Sequence, residues 1–254
     1  MYVRISKYNM KIKCILTDTS EYKSFCGLEN SIYTVKISKQ YKYWYNDLCD
    51  IIDFYANSDI EVLLDVTSKD IKLARKLHGN HRYDEKYLRV YEPDVMVHTT
   101  LLEAQKQIIS DGYIKCWSLL KQEKEVFEEK PIGSLLGDIE DFSNYVMLSP
   151  IDVNNEIIVA SKQKGRIDTN TAQIYNAGCR FYLDARKLAN DGLLLRDGQH
   201  IKVKGQIPLD KYLIWYSTAE KVGLPAKTTP QEFFELSNSK FISICGESIA
   251  FENK

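Results

Sequence analysis

Asp94-Val95-Met96-Val97-His98-Thr99-Thr100, running directly into Leu101-Leu102-Glu103-Ala104-Gln105-Lys106-Gln107-Ile108-Ile109-Ser110-Asp111-Gly112-Tyr113-Ile114, changes its hydrophobic period part-way along. Val95 and Val97 alternate with Met96 and His98, the two-residue period of a strand, and Leu101, Ala104 and Ile108 then share one face at helical spacing. A strand is therefore expected to end at His98. Thr99 or Thr100 is placed to cap the following helix, and Gly112 to stop it as a left-handed residue. A polar side chain at a strand terminus, beside the free amides of a helix start, can hold a polar ligand in a fixed orientation. The same pattern suits a histidine satisfied within the core, and the segment alone favours that plainer role.

Upstream, short alternations from Tyr2 to Ile37, broken by Asp18-Thr19-Ser20 and Gly27, predict small antiparallel strands. Trp44, Leu48, Ile51, Ile52 and Tyr55 then recur at helical spacing, and Ile60, Val62, Leu64 and Val66 alternate as a half-buried strand. Thr67 or Ser68 can cap a helix carrying Ile71, Ala74 and Leu77. These elements make residues 1–92 an α+β module, with a second domain over 93–254.

Downstream, a charged helix is expected over Trp117–Glu129, then a loop over Lys130–Asp138 whose glycines and proline give it freedom to move. Tyr145–Pro150 reads as a buried strand, and Ile157–Ala160 as an apolar run before a basic Gly165-Arg166 turn. Further strands follow at Phe181–Ala185, Leu193–Leu195, Ile201–Lys204 and Leu213–Trp215. Thr229-Pro230-Gln231-Glu232 is a capping box with proline at the first helical position. Helices gathered early and strands late predict an α+β class rather than a doubly wound sheet.

Composition narrows the partners. Thirty-five acids nearly cancel 34 bases, so no global field points to nucleic acid or membrane. No run approaches the roughly 18 apolar residues that cross a bilayer, and lysines occupy the place of a secretory core, so a cytoplasmic protein is expected. The six cysteines have no CxxC spacing and read as reduced thiols; His78 and His81 lack the partners of a metal set. Two local basic features remain, Lys39-Gln40-Tyr41-Lys42-Tyr43-Trp44-Tyr45 and the run from Lys69 to Arg82. Lysines interleaved with aromatics can draw phosphates and stack bases, but interspersed acids favour a solvated face. No glycine-rich phosphate loop, nucleophile elbow or HExxH motif is present.

The order of short motifs carries more than any one of them. His98-Thr99, Asp111-Gly112, Leu148-Ser149, Gly165-Arg166, Phe181-Tyr182-Leu183-Asp184-Ala185, Gly198-Gln199-His200-Ile201-Lys202-Val203 and Ile207-Pro208-Leu209-Asp210-Lys211-Tyr212-Leu213 follow in sequence. Over residues 94–215 this order resembles the ADP-ribosyltransferase superfamily, and within it the RNA 2'-phosphotransferases and the DNA ADP-ribosyltransferase toxins about equally. The resemblance implies a split mixed or antiparallel β core with flanking helices, and a transferase that consumes NAD without a metal. It implies that His98 hydrogen-bonds the nicotinamide ribose, with Thr99 in support. Tyr145 or Ser149 would border the nicotinamide pocket and Arg166 would take the phosphates. Gln199 or His200 stands where many transferases carry a catalytic glutamate.

Three departures are visible: Met147 stands where the phosphotransferases have a second histidine, their Arg-Ala-x-Gln-Gly-His-Ser segment before the histidine strand is absent, and no glutamate lies between Arg180 and Lys211, where the toxins have one. Gln199 can still position by hydrogen bonding, and His200 can serve as a base. The expected function is NAD-dependent ADP-ribosylation of RNA, single-stranded DNA or protein. RNA 2'-phosphotransfer, or a catalytically silent binding module of the same fold, are the alternatives.

Overall fold

The computed structural model describes residues 2–4, 11–21, 24–29, 32–56, 58, 60–79, 89, 92–123, 133 and 138–246. The loop expected at Lys130–Asp138, apart from Gly133 and Asp138, lies outside them. So do His81, Arg82 and the end of the helix expected to reach Glu129. The chain divides into two compact units. One comprises Met1–Tyr83, Leu136–Phe142 and Leu195–Ile201; the other comprises Asp84–Leu135, Ser143–Leu194 and Lys202–Lys254.

In the first unit, β1 (Tyr2–Arg4), β2 (Lys11–Thr17), β3 (Ser24–Glu29), β4 (Ile32–Ser38) and β5 (Glu61–Asp65) form a sheet ordered β1-β5-β2-β4-β3. It is not the antiparallel set that the alternations predict. β2 runs parallel to both β4 and β5, with antiparallel pairs only where β1 joins β5 and β3 joins β4. Parallel neighbours need a crossover, and α1 (Trp44–Tyr55) lies in the connection from β4 to β5. Its expected stripe of Trp44, Leu48, Ile51 and Tyr55 is buried against Ile12, Cys14, Val35, Ile37, Val62 and Leu64. Ile139 and Phe142 join that core from a distant part of the chain. α2 (Ser68–Gly79) is capped by the Thr67 hydroxyl, which accepts from the Asp70 amide at 3.0 Å.

The remaining elements are β6 (Val95–Thr100), α3 (Leu102–Asp111), β7 (Tyr113–Lys115), α4 (Trp117–Gln122), β8 (Tyr145–Pro150), α5 (Glu156–Lys164), β9 (Tyr175–Asn176), β10 (Cys179–Asp184), α6 (Ala185–Asn190), β11 (Leu194–Arg196), β12 (Ile201–Lys204), β13 (Gln206–Pro208), α7 (Leu209–Tyr212), β14 (Leu213–Thr218), β15 (Lys227–Thr228) and α8 (Pro230–Cys245). One sheet runs in the order β11-β12-β8-β6-β10-β14. β6 is antiparallel to β8 on one side and to β10 on the other, and β10 is antiparallel to β14. The four strands expected to share a core, β12, β8, β6 and β10, are consecutive neighbours. The architecture is α+β, with one mixed sheet and one in which these pairs are antiparallel.

β6 corrects the first reading of its own segment. It continues past His98 to Thr100, because β10 extends alongside it and pairs Arg180 with Thr99 and Cys179 with Thr100. The threonines are therefore strand residues, and α3 starts from Leu101 with no side-chain cap. Gly112 ends α3 with φ 75°, as its sequence predicts. Ile157–Ala160 lies within helix α5, and the Thr229–Glu232 capping box is formed at α8. All six cysteines are free thiols. Among the described residues no helix is long and apolar enough to cross a membrane.

Candidate functional site

Alternation along β6 puts His98 and Thr100 on one face, and in the second unit both line a cleft of about 480 Å³. Its wall is one side of α3: Glu103, Gln107 and Asp111 recur every four residues, beside Ala104 and Ile108. β7, Leu120 of α4 and Lys162 of α5 complete the lining. The volume lies within the roughly 300–1,000 Å³ of small-molecule sites.

His98 is fixed by its surroundings. Its Nδ1 lies 3.0 Å from the Met147 carbonyl oxygen, and a carbonyl only accepts, so Nδ1 carries the proton. Burial holds the ring below its ordinary value of 6.5, the Lys162 ammonium pushes the same way, and the Met147 bond opposes them. The ring is neutral at pH 7, and its Nε2 is an acceptor.

None of the other residues expected at the site lines this cleft. Thr99 faces away from the cleft, where its hydroxyl donates to the Asn155 carbonyl at 3.3 Å; Thr100 takes the place beside His98. Tyr145 and Ser149 sit half-buried on β8, outside the cleft lining, and the Lys202 ammonium lies 4.6 Å from the Tyr145 ring centre. Arg166 is exposed just beyond Gly165, and is also not part of the lining. Comparisons with protein-family models, curated proteins and solved structures find no match.

Gln199 and His200 belong to the first unit, whereas His98 belongs to the second. Gly198, with φ 96°, turns the chain there. His200 Nδ1 lies 2.9 Å from Asp197 Oδ1, whose other oxygen accepts from the Tyr55 hydroxyl at 2.9 Å. His200 Nε2 lies 3.4 Å from the Tyr33 hydroxyl, and the Phe142 ring packs at 4.8 Å. Both ring nitrogens of His200 thus have partners inside the first unit.

Sequence reading missed Thr100, Glu103, Gln107 and Lys162. The first three had a signal: stepping two residues from His98 gives Thr100, and the four-residue recurrence of Glu103, Gln107 and Asp111 marks one helix face. Lys162 had none, because only tertiary structure brings α5 to β6. In the first unit's two basic features, Lys39 of the basic-aromatic stretch pairs with Asp18 at 3.3 Å and Arg75 of the later run with Asp53 at 2.6 Å, while Trp44 is core. Among the described residues no three His, Cys, Asp or Glu side chains gather to hold a metal.

On the face of β6 away from the cleft lies a buried polar network. Arg180 is fully buried; its Nη1 donates to Asn155 Oδ1 and its Nη2 to the Ile151 carbonyl, both at 2.7 Å. Glu156, also fully buried, lies 3.6 Å from Arg180 Nη1 and accepts from the Tyr175 hydroxyl at 3.0 Å. Burial outweighs the arginine and pushes the Glu156 carboxyl up to about 7. The folded state therefore binds this proton more tightly than the unfolded chain. That contribution is complete below pH 4.5 and is lost as pH rises through about 7. Denaturant unfolding across this window should show wild-type stability declining relative to Glu156→Gln, whose side chain does not titrate. Parallel pH profiles for the two proteins would contradict the assignment.

Proposed function

We propose that the second unit binds NAD in the His98 cleft and that the chain is an NAD-dependent ADP-ribosyltransferase with a macromolecular acceptor. The observation carrying this reading is His98 itself. It is a neutral ring, oriented by the Met147 carbonyl, with an acceptor nitrogen on a cleft of ligand size. An acceptor at that point suits a ribose hydroxyl, while Ala104, Ile108 and Leu120 offer apolar surface to a flat ring. NAD thus fits the donors, acceptors and apolar groups present. Glu103 brings to the same lining a carboxylate of the kind missing between Arg180 and Lys211. The position of β6 between antiparallel β8 and β10 supports an ADP-ribosyltransferase-type core.

His98→Ala should weaken NAD binding at least ten-fold in calorimetry while leaving the unfolding midpoint nearly unchanged. A core histidine would instead cost about 1–3 kcal/mol of stability with NAD affinity intact. The depressed pKa fixes the sign of the pH effect: affinity holds at pH 7 and falls once pH drops below 6.5 and the ring protonates.

His200 supports a second reading. With Asp197 on one nitrogen and Tyr33 on the other, it offers no open base, which favours a catalytically silent NAD-binding module. Labelled NAD incubated with separate pools of RNA, single-stranded DNA and protein separates the two. Covalent label on one pool supports transfer, and binding without transfer supports the silent module. RNA 2'-phosphotransfer stands third, since Arg180 and Lys202, the cations that could join Arg166 around a phosphate, are both fully buried. Release of 2'-phosphate from RNA without labelled macromolecule would move it to first place.

A further inference from the structure

The last turn of α5 presents three long polar side chains in succession, and two of them have partners. Gln163 donates to the Asn176 carbonyl at 2.6 Å and accepts from the Asn176 amide at 3.0 Å. Lys164 reaches Asp168 at 2.7 Å and also Gln173. Lys162, between buried Ser161 and Gln163, turns to the cleft and has no carboxylate partner among the described residues. The cleft's other lysine is neutralised: Lys115 pairs with Asp111 at 2.8 Å and with Glu123 at 2.7 Å.

We propose that Lys162 forms an anion subsite of the His98 cleft that takes the phosphates of a nucleotide ligand, the role that sequence order would give to Arg166. The subsite deepens the NAD reading, yet its chemistry requires only a phosphate-bearing ligand. Cleft geometry carries the argument. Lys162 lines the same cavity as His98 and is near enough for its charge to act on that ring, whereas Arg166 lies outside the lining. A lysine ammonium without a carboxylate in salt-bridge contact is open to a ligand, and charge-assisted bonds to phosphate are the strong ones. Neutral His98 beside it offers an acceptor to a sugar hydroxyl without repelling the cation.

The test is calorimetric titration of the full chain at pH 7.5 and low salt, with NAD, inorganic pyrophosphate and phosphate-free nicotinamide riboside. Lys162→Gln should weaken NAD and pyrophosphate ten-fold or more and leave the riboside unchanged. Lys162→Arg should restore most of the loss, and Arg166→Gln should change nothing. Lys162 is exposed, so its variants should keep the wild-type thermal midpoint. If NAD fails to bind wild type but pyrophosphate binds through Lys162, the NAD reading falls and the subsite stands. If NAD binds wild type and Lys162→Gln equally, or loses affinity only in Arg166→Gln, the subsite falls and the NAD reading stands. If neither ligand binds wild type, both fall, and Lys162 serves only to balance the carboxyl end of α5.

Discussion

Arg180→Met is expected to destabilise the protein by about 3–5 kcal/mol at pH 8, the range for breaking a buried ion pair from one side. Methionine fills much of the volume, so the loss is chiefly electrostatic. Asn155 Oδ1 loses its donor, and Glu156 loses the cation that favours its charged form in the core, so it must either stay uncompensated or take up a proton. The Ile151 carbonyl keeps a partner, because the Asn238 amide also donates to it at 2.9 Å. The arginine's contacts with the Tyr182 and Phe234 rings, 5.5 and 5.1 Å from their centres, go as well. The penalty should shrink near pH 5, where Glu156 is already protonated in the wild type. Denaturant unfolding of Arg180→Met, Glu156→Gln and the double variant at both pH values measures this. Strict additivity at pH 8 would mean that the two side chains are not coupled.

Gly178→Ala should cost at least about 1–3 kcal/mol, the usual penalty of overpacking, and should weaken whatever binds beside His98. A Cβ there would lie 2.1 Å from the Thr100 carbonyl oxygen and 3.1 Å from Val159 Cγ1. The first obstacle is backbone, so no change of rotamer relieves it, and β6 must shift at the residue that lines the cleft. The sign is diagnostic. Where the backbone tolerates it, Gly→Ala usually stabilises by about 0.4–1 kcal/mol through the unfolded chain. A thermal midpoint equal to or above that of the wild type would contradict the close approach.

Local chemistry made part of this legible. Gly112 at the end of α3 and the Thr229–Glu232 box are each decided by neighbours a few residues apart, and both stand in the structure, whereas the change of period comes after Thr100 and not after His98. Strand direction is different. Alternation is identical in parallel and antiparallel strands, so nothing in Ile12, Cys14 and Leu16 announced two parallel partners. The helix over Ile157–Ala160 was hidden because four apolar residues in a row, two of them isoleucine and one valine, suit strand and helix alike. For the site, His98 could be placed on a strand, but which face it shares, and with which lysine, depends on packing between elements far apart in sequence. The grouping of His98 with His200 followed motif order, which carries no information on which body a hairpin tip joins.

That hairpin tip decides how the protein can be made. Tyr55 finds Asp197 142 residues further along the chain, and Tyr33 finds His200 167 residues further along. Chains commonly fold from the amino end as they emerge from the ribosome, one body at a time. Here the amino-terminal body lacks Ile139 and Phe142 until just over half of the polypeptide has been synthesised, and the Asp197–His200 pair until nearly four-fifths has. Its mixed sheet must wait, or hold a provisional core, while most of the second body is already out. A fragment cut after Tyr83 would keep every segment of the second unit but strip the first of residues 136–142 and 195–201, so the amino-terminal body is completed only by the far part of the chain.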